Sequence, residues 1–158
     1  MADVRLRPMT QQEYAAYRAR SEHDYAQEMA AAGELHLDAA VKRSAVEFAE
    51  LLPDGLDSPG MHLWTAETGD PTETAGVGWI ELRQRASGVS AWVYDVKVDA
   101  ARRGQGLGRG LMEALHDAAR ELGATSISLN VFGHNTTAIH LYDSLGYAVT
   151  AQQMKRDL

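Results

Sequence analysis

A chain of 158 residues, 45% hydrophobic and 23% charged, has the composition of an ordinary soluble protein and the length of one domain with its own core. No apolar run approaches the roughly 20 residues that span a bilayer, and Met1-Ala2-Asp3-Val4-Arg5 does not open a secretory signal. The lack of cysteine suits the cytoplasm and rules out a thiol nucleophile, while a formal net charge of −7 disfavours nucleic acid and mildly favours cationic partners.

In chain order, Val4–Pro8 reads as a first strand. Thr10-Gln11-Gln12-Glu13 is a capping box that opens a helix with Tyr14, Tyr17, Ser21, Tyr25 and Met29 on one stripe, ended by Gly33. A second helix carries Val41, Ala45, Phe48 and Leu52 at helical spacing and stops at Pro53-Asp54-Gly55. His62–Glu67 and Ala75–Arg83 read as strands, and Ala86-Ser87-Gly88 turns the chain into a third, Ser90–Val98. A third helix places Leu107, Leu111, Leu115, Ala118 and Leu122 on one face with Gly123 as its cap. Ser126–Phe132 is the fifth strand. Asn135 caps a fourth helix that buries Ala138, Leu141, Tyr142 and Leu145, and Tyr147–Leu158 is a final strand region. This order implies a single α/β domain, a mixed sheet with helices on both faces, in which the strands ending at Val98 and Phe132 are parallel.

Between the strand Ser90–Val98 and the third helix lies Ala101-Arg102-Arg103-Gly104-Gln105-Gly106-Leu107-Gly108-Arg109-Gly110. Strand, glycine turn and helix start together make an anion site, because glycines let backbone N–H groups crowd a phosphate and the helix adds unpaired donors. A Walker A loop is excluded, since no Gly-Lys pair exists. The dinucleotide fingerprint fails in register: the glycine it needs falls on Arg109 or on Leu111.

Arg103-x-x-Gly106-x-Gly108 does fit the R/Q-x-x-G-x-G/A pattern, and Asn135-Thr136-Thr137-Ala138-Ile139-His140-Leu141-Tyr142-Asp143-Ser144-Leu145-Gly146-Tyr147 fits N-x-x-A-x-x-L-Y-x-x-x-G-[FY]. Two such blocks in this order resemble the GNAT family of N-acetyltransferases, and the element order resembles it along the whole chain. The resemblance implies one GNAT domain over 1–158 whose fourth and fifth strands splay apart around acetyl-CoA. It further implies direct transfer of the acetyl group to the amine of a small molecule or protein, without an acyl-enzyme. Main-chain groups of Val96, Lys97 and Val98 would hold the pantetheine arm. Arg103, Gly104, Gln105, Gly106, Leu107, Gly108 and Arg109 would cradle the pyrophosphate, Asn135 would reach the arm, and Tyr142 would protonate the departing thiolate. A binding module of the same fold that holds acyl-CoA without turnover is the alternative.

The general base is open. One subgroup, which acetylates ribosomal proteins, carries glutamate in L-E-V, where this chain has Leu129-Asn130-Val131. Glu81 and Asp95 are two other carboxylates on the central strands, and the resemblance also implies a third route, deprotonation through a chain of waters that needs no single base. Strict alternation puts Asp95 and Lys97 opposite Trp92, Tyr94 and Val96, so an Asp95–Lys97 pair is the plain alternative. The six histidines show no paired ligand spacing, and no metal is expected. The twelve residues after Gly146 form either a tight hairpin or one long strand that pairs with a second subunit, and the second case implies a homodimer.

Overall fold

A computed structural model describes residues 3–158. Contacts divide the chain into two compact units, residues up to Ser128 and Leu129–Leu158, and each is taken by itself. Among the described residues, no helix is long and apolar enough to cross a membrane.

The first unit is a five-stranded sheet with helices on both faces. Its strands are β1 (Val4–Pro8), β2 (Met61–Thr68), β3 (Glu73–Arg85), β4 (Gly88–Val98) and β5 (Ala124–Ser128); its helices are α1 (Gln11–Ala31), α2 (Leu37–Leu51) and α3 (Leu107–Glu121). The strands lie in chain order, antiparallel except for the β4–β5 pair, which is parallel and is bridged by α3.

The start of α1 follows the expected local chemistry. Thr10 accepts from the Glu13 N–H at 3.2 Å, and the Glu13 carboxylate accepts from the Thr10 N–H at 2.9 Å. From there α1 and α2 cover one sheet face with a core of Tyr14, Tyr17, Phe48, Leu52, Leu63 and Trp79. Trp79 of β3 lies between Phe48 and Tyr94, with ring centroids 5.9 and 4.6 Å away.

The buried stripe of α2 differs from the expected one. Ala40, Ser44 and Phe48 are buried, whereas Val41 is 49% exposed and Ala45 is also exposed. Close approach to α1 selects small side chains, and the buried Ser44 hydroxyl donates to the Glu22 carbonyl at 2.7 Å. Spacing alone favoured the larger Val41. The opposite sheet face belongs to α3, through Leu107, Leu111, Met112, Leu115 and Ala119. A side chain at Gly78 would meet Leu115 at 2.8 Å, so a glycine there lets α3 sit close to the sheet. Leu122, expected on this face, is partly exposed as the C-cap.

Two expectations about strands are corrected. β5 runs over Ala124–Ser128 rather than Ser126–Phe132, and its ladder with β4 ends at Trp92↔Ser128. Just past that point β4 carries a bulge, an irregularity that commonly ends pairing. The expected strand over 147–158 does not form: a strand needs a neighbour for its N–H and C=O groups, and these residues pair with none among the described residues. In the second unit, Asn135 caps α4 (Thr136–Ser144) as expected, its side chain accepting from the Ala138 N–H at 3.2 Å. Ala138, Leu141, Tyr142 and Leu145 are only half-buried, not core.

Candidate functional site

β4 delivers the chain to the glycine turn. After a short 3-10 turn at Ala100–Arg102, Gly104 and Gly106 adopt φ of +77° and +74°. Side chains rarely tolerate that left-handed backbone, so these glycines are required by shape rather than by crowding; a Cβ at either would meet nothing within 4 Å. Gly106 is the N-cap of α3, contributes no side-chain cap, and is followed by no acidic residue in the first turn. The first N–H groups of α3 therefore have neither a side-chain cap nor a nearby acidic side chain in that turn. Gly104, Gln105 and Gly106 are exposed, while Leu107 is buried and anchors the turn to the core. Arg103 is exposed and its Nε lies 3.4 Å from the Val98 carbonyl, which joins the turn to the strand end. Arg102 is held by Glu73 at 2.5 Å, and Gly108 and Arg109 are half-buried on the first turn of α3.

Among the described residues, the ladder of β4 with β5 goes no further than Trp92. The Asp99 N–H donates to the Ala75 carbonyl at 2.9 Å, so antiparallel alternation turns the Lys97 main chain toward β3 and those of Val96 and Val98 away from it. Of the three residues expected to offer main-chain groups, Val96 and Val98 direct theirs away from β3, and Lys97 is spent on the sheet.

The bulge overturns the expected facing of side chains. Trp79 pairs with Asp95 and Ile80 with Val93, leaving Tyr94 as the extra residue. Tyr94 stacks on Trp79, and Asp95 accepts from the Tyr17 hydroxyl of α1 at 2.7 Å, so both point to the α1–α2 face. Nor do Asp95 and Lys97 form a pair: Lys97 reaches Asp24 of α1 at 3.6 Å. Together these groups enclose a cavity of about 520 Å³ with Tyr17, Trp79 and Asp95 inside and Asp24, Glu28 and Glu47 on its exposed side; Val96 also lines it. Burial raises the Asp95 pKa above its ordinary value, against the opposing effects of the Tyr17 hydroxyl, the Lys97 charge and the Val96 N–H. Burial likewise raises the Tyr17 phenol, with the Asp95 charge adding to it. Tyr17 was expected on the α1 stripe, as core packing or as part of an acceptor-pocket lining, with no bond to Asp95 foreseen. Its bond to Asp95 depends on a bulge that spacing in the chain does not disclose.

Glu81 is a different carboxylate. It accepts from Tyr94 at 2.6 Å and from Arg83 at 3.2 Å, and the Arg83 guanidinium lies 5.1 Å from the Trp92 ring centroid. Burial pushes its pKa up, but the Tyr94 and Arg83 hydrogen bonds outweigh it and the net shift is downward. It does not line the cavity that holds Asp95. In the second unit, the rings of Tyr142 and Tyr147 lie 5.5 Å apart, and burial, with Tyr142 adding to it, pushes the Tyr147 phenol up to about 12. Asn130 lies beyond the end of β5.

Known proteins share this architecture. The model of the acetyltransferase (GNAT) family matches residues 30–147, across both units. YdgE of Bacillus subtilis, named an uncharacterized N-acetyltransferase, is 33% identical over 153 residues, covering 97% of each chain. YycN of the same bacterium, named likewise, is 33% identical over 155 residues, 98% of this chain and 99% of its own. The crystal structure of YycN superposes with a TM-score of 0.89 over 98% of both chains. The mycothiol acetyltransferase of Nocardiopsis dassonvillei is 32% identical over 92% of this chain and 43% of its own. An uncapped glycine turn beside a strand whose ladder with β5 ends at Trp92, inside a fold and a sequence that match in this way, has one reading: the chain belongs to the acetyltransferase (GNAT) family.

Proposed function

We propose that this protein is an acetyl-CoA-dependent N-acetyltransferase that acts as one domain and acetylates a primary amine directly. The observation that carries the reading is the α3 N-terminus, with Gly104 and Gly106 in left-handed conformations, no capping side chain and Arg103 beside it. That donor set fits a pyrophosphate, and the main-chain groups that Val96 and Val98 direct away from β3 fit an extended amide-bearing arm.

Bound acetyl-CoA supplies an activated thioester, whose C–S bond breaks as the C–N bond to the amine forms. The residues of the chain do the rest. Val98 N–H is the donor for the thioester oxygen, a role that needs no side chain. Asp95 is the general base: it lines the cavity, and burial makes it a better proton acceptor than an ordinary aspartate. Glu81, held by Arg83 and Tyr94, is the poorer candidate. An amine arriving as ammonium sheds two protons in all. One leaves to solvent through Asp95, and one balances the proton that Tyr142 gives to the sulfur, the role its place in the Leu141-Tyr142 segment implies. Much of the rate gain comes from holding two reactants side by side.

Thermal unfolding with acetyl-CoA, CoA, ATP and NAD at matched concentration tests the cofactor. A ligand at about 100 times its dissociation constant adds roughly 2.7 kcal/mol, several degrees for a domain of this size. A shift with the two CoA species alone is expected. A shift with ATP or NAD instead would overturn the reading, and thiol release with amines separates an enzyme from a binding module that never turns over.

A further inference from the structure

The cavity beside Asp95 has a graded wall. Tyr17, Ser21, Asp24, Tyr25 and Glu28 lie on one stripe of α1 and all line it. At about 1.5 Å per residue, Asp24 lies roughly 10 Å and Glu28 roughly 16 Å along the helix from Tyr17, the partner of Asp95. The inner end is aromatic and dry, with Tyr17, Phe48 and Trp79 buried. The outer end is acidic and wet: Asp24, Glu28 and, from α2, Glu47 are there, with Lys97 the one cation among the lining residues. Glu47 is engaged by Arg43 at 2.9 Å, while the Glu28 carboxylate has no hydrogen bond or ion pair among the described residues. The mouth already accommodates an alkylammonium, since the Lys97 Nζ sits 3.6 Å from the Asp24 carboxylate.

The geometry points to a linear aliphatic di- or triamine as the acceptor, one amine reaching Asp95 and a second ammonium group resting on Asp24 and Glu28. This rests on the acetyl-transfer reading above. The methylene chain would lie against the aromatic wall, and the distal charge would meet carboxylates in place of water. A cavity of about 520 Å³ suits a small molecule. An amino sugar lacks the second charge, and an acidic substrate would meet like charge at the mouth.

Two readouts separate this inference from the reading beneath it. Calorimetry with spermidine and, as a single-charge control, hexylamine at low salt measures the pocket without turnover. Thiol release with acetyl-CoA and the same amines, glucosamine and a lysine-containing peptide measures the reaction. Spermidine is expected to bind more tightly than hexylamine and to lose that advantage as salt rises. D24N/E28Q should reduce spermidine affinity and kcat/KM about tenfold more than those for hexylamine. Removing Lys97's competing charge by Lys97→Met should strengthen spermidine binding, whereas Glu121→Gln, a lost charge far along α3, should leave the preference unchanged. Equal binding of the two amines, or a preference for glucosamine or the peptide, overturns the substrate class. Selective spermidine binding without thiol release upholds the pocket and overturns the catalytic reading instead.

Discussion

Asp95 and Glu81 stand on neighbouring strands, point to the same sheet face, and each accept a tyrosine hydroxyl, at 2.7 and 2.6 Å. Their pKa values nevertheless move in opposite directions, Asp95 upward and Glu81 downward. What differs is burial, much deeper at Asp95, and with it the company. Glu81 has Arg83 at 3.2 Å, whereas Asp95 has a phenol, a backbone N–H and the charge of a Lys97 that is itself drawn off to Asp24. The tyrosine bond and the more distant Lys97 charge do not overcome the deep burial of Asp95, whereas a tyrosine bond joined by a guanidinium does overcome the shallow burial of Glu81. One carboxylate is thereby kept basic beside a cavity, and the other serves as a structural tie.

The largest test is direct. Asp95→Asn should lower kcat/KM for the amine by about 10²–10⁴, the usual range for a lost general base, and Glu81→Gln should cost far less, both read by thiol release. Equal losses would erase the distinction. Next in size is Tyr17→Phe. It removes the donor that steadies the ionised Asp95, so the Asp95 pKa rises further and the acid limb of the kcat/KM profile moves to higher pH. Leaving that carboxylate short of a partner should also cost about 1–3 kcal/mol of stability in urea unfolding. A profile that stays put would make Tyr17 a packing residue only. Third, Arg83→Met should let burial govern Glu81 and raise its pKa toward the behaviour of Asp95. That shift is read from carboxyl titration by NMR; because Arg83 and Glu81 are 31% and 24% exposed, the stability change should not exceed about 1 kcal/mol.

What was legible in the sequence was what neighbours along the chain decide. The Thr10–Glu13 box, the Asn135 cap and the glycine turn each depend on residues three or four apart, and all formed as read. The parallel pairing of β4 with β5 followed from the crossover helix between them. What was not legible depends on partners far along the chain. The single extra residue at Tyr94 is defined only by pairing with Trp79 and Ile80, yet it decides which face Asp95 occupies. The α2 stripe was misread because Ser44 is polar, and its burial makes sense only with the Glu22 carbonyl of α1 beside it. β5 ends early, and residues 147–158 form no strand, for the same reason: a ladder is a property of two strands. The carboxylate identities were visible from the start; their roles were set by the third dimension.

The smallest expected effect is on stability against pH, where Asp95 can be set against a carboxylate of the opposite kind. Glu13 accepts from Arg7 at 2.7 and 2.9 Å, and Arg7 also pairs with Glu67 at 2.6 Å. The Arg7 bond dominates over burial and lowers the Glu13 pKa from 4.5 to about 2. Its folded value lies below its unfolded one, so its contribution is whole above about pH 4.5 and is lost as pH falls toward 2. With both side chains about a third exposed, that contribution is about 1–2 kcal/mol after screening. Asp95 carries the reverse sign: its folded pKa lies above the unfolded value of 3.8, so ionisation costs stability at neutral pH and acidification relieves the cost. Urea unfolding at stepped pH should therefore show the wild type gaining on Asp95→Asn as pH falls through the Asp95 transition. Its margin over Glu13→Gln should instead shrink below about pH 4.5. A wild-type margin over Asp95→Asn that stays flat with pH would mean that burial does not keep Asp95 basic. The contrast with Glu81 would then rest on geometry alone.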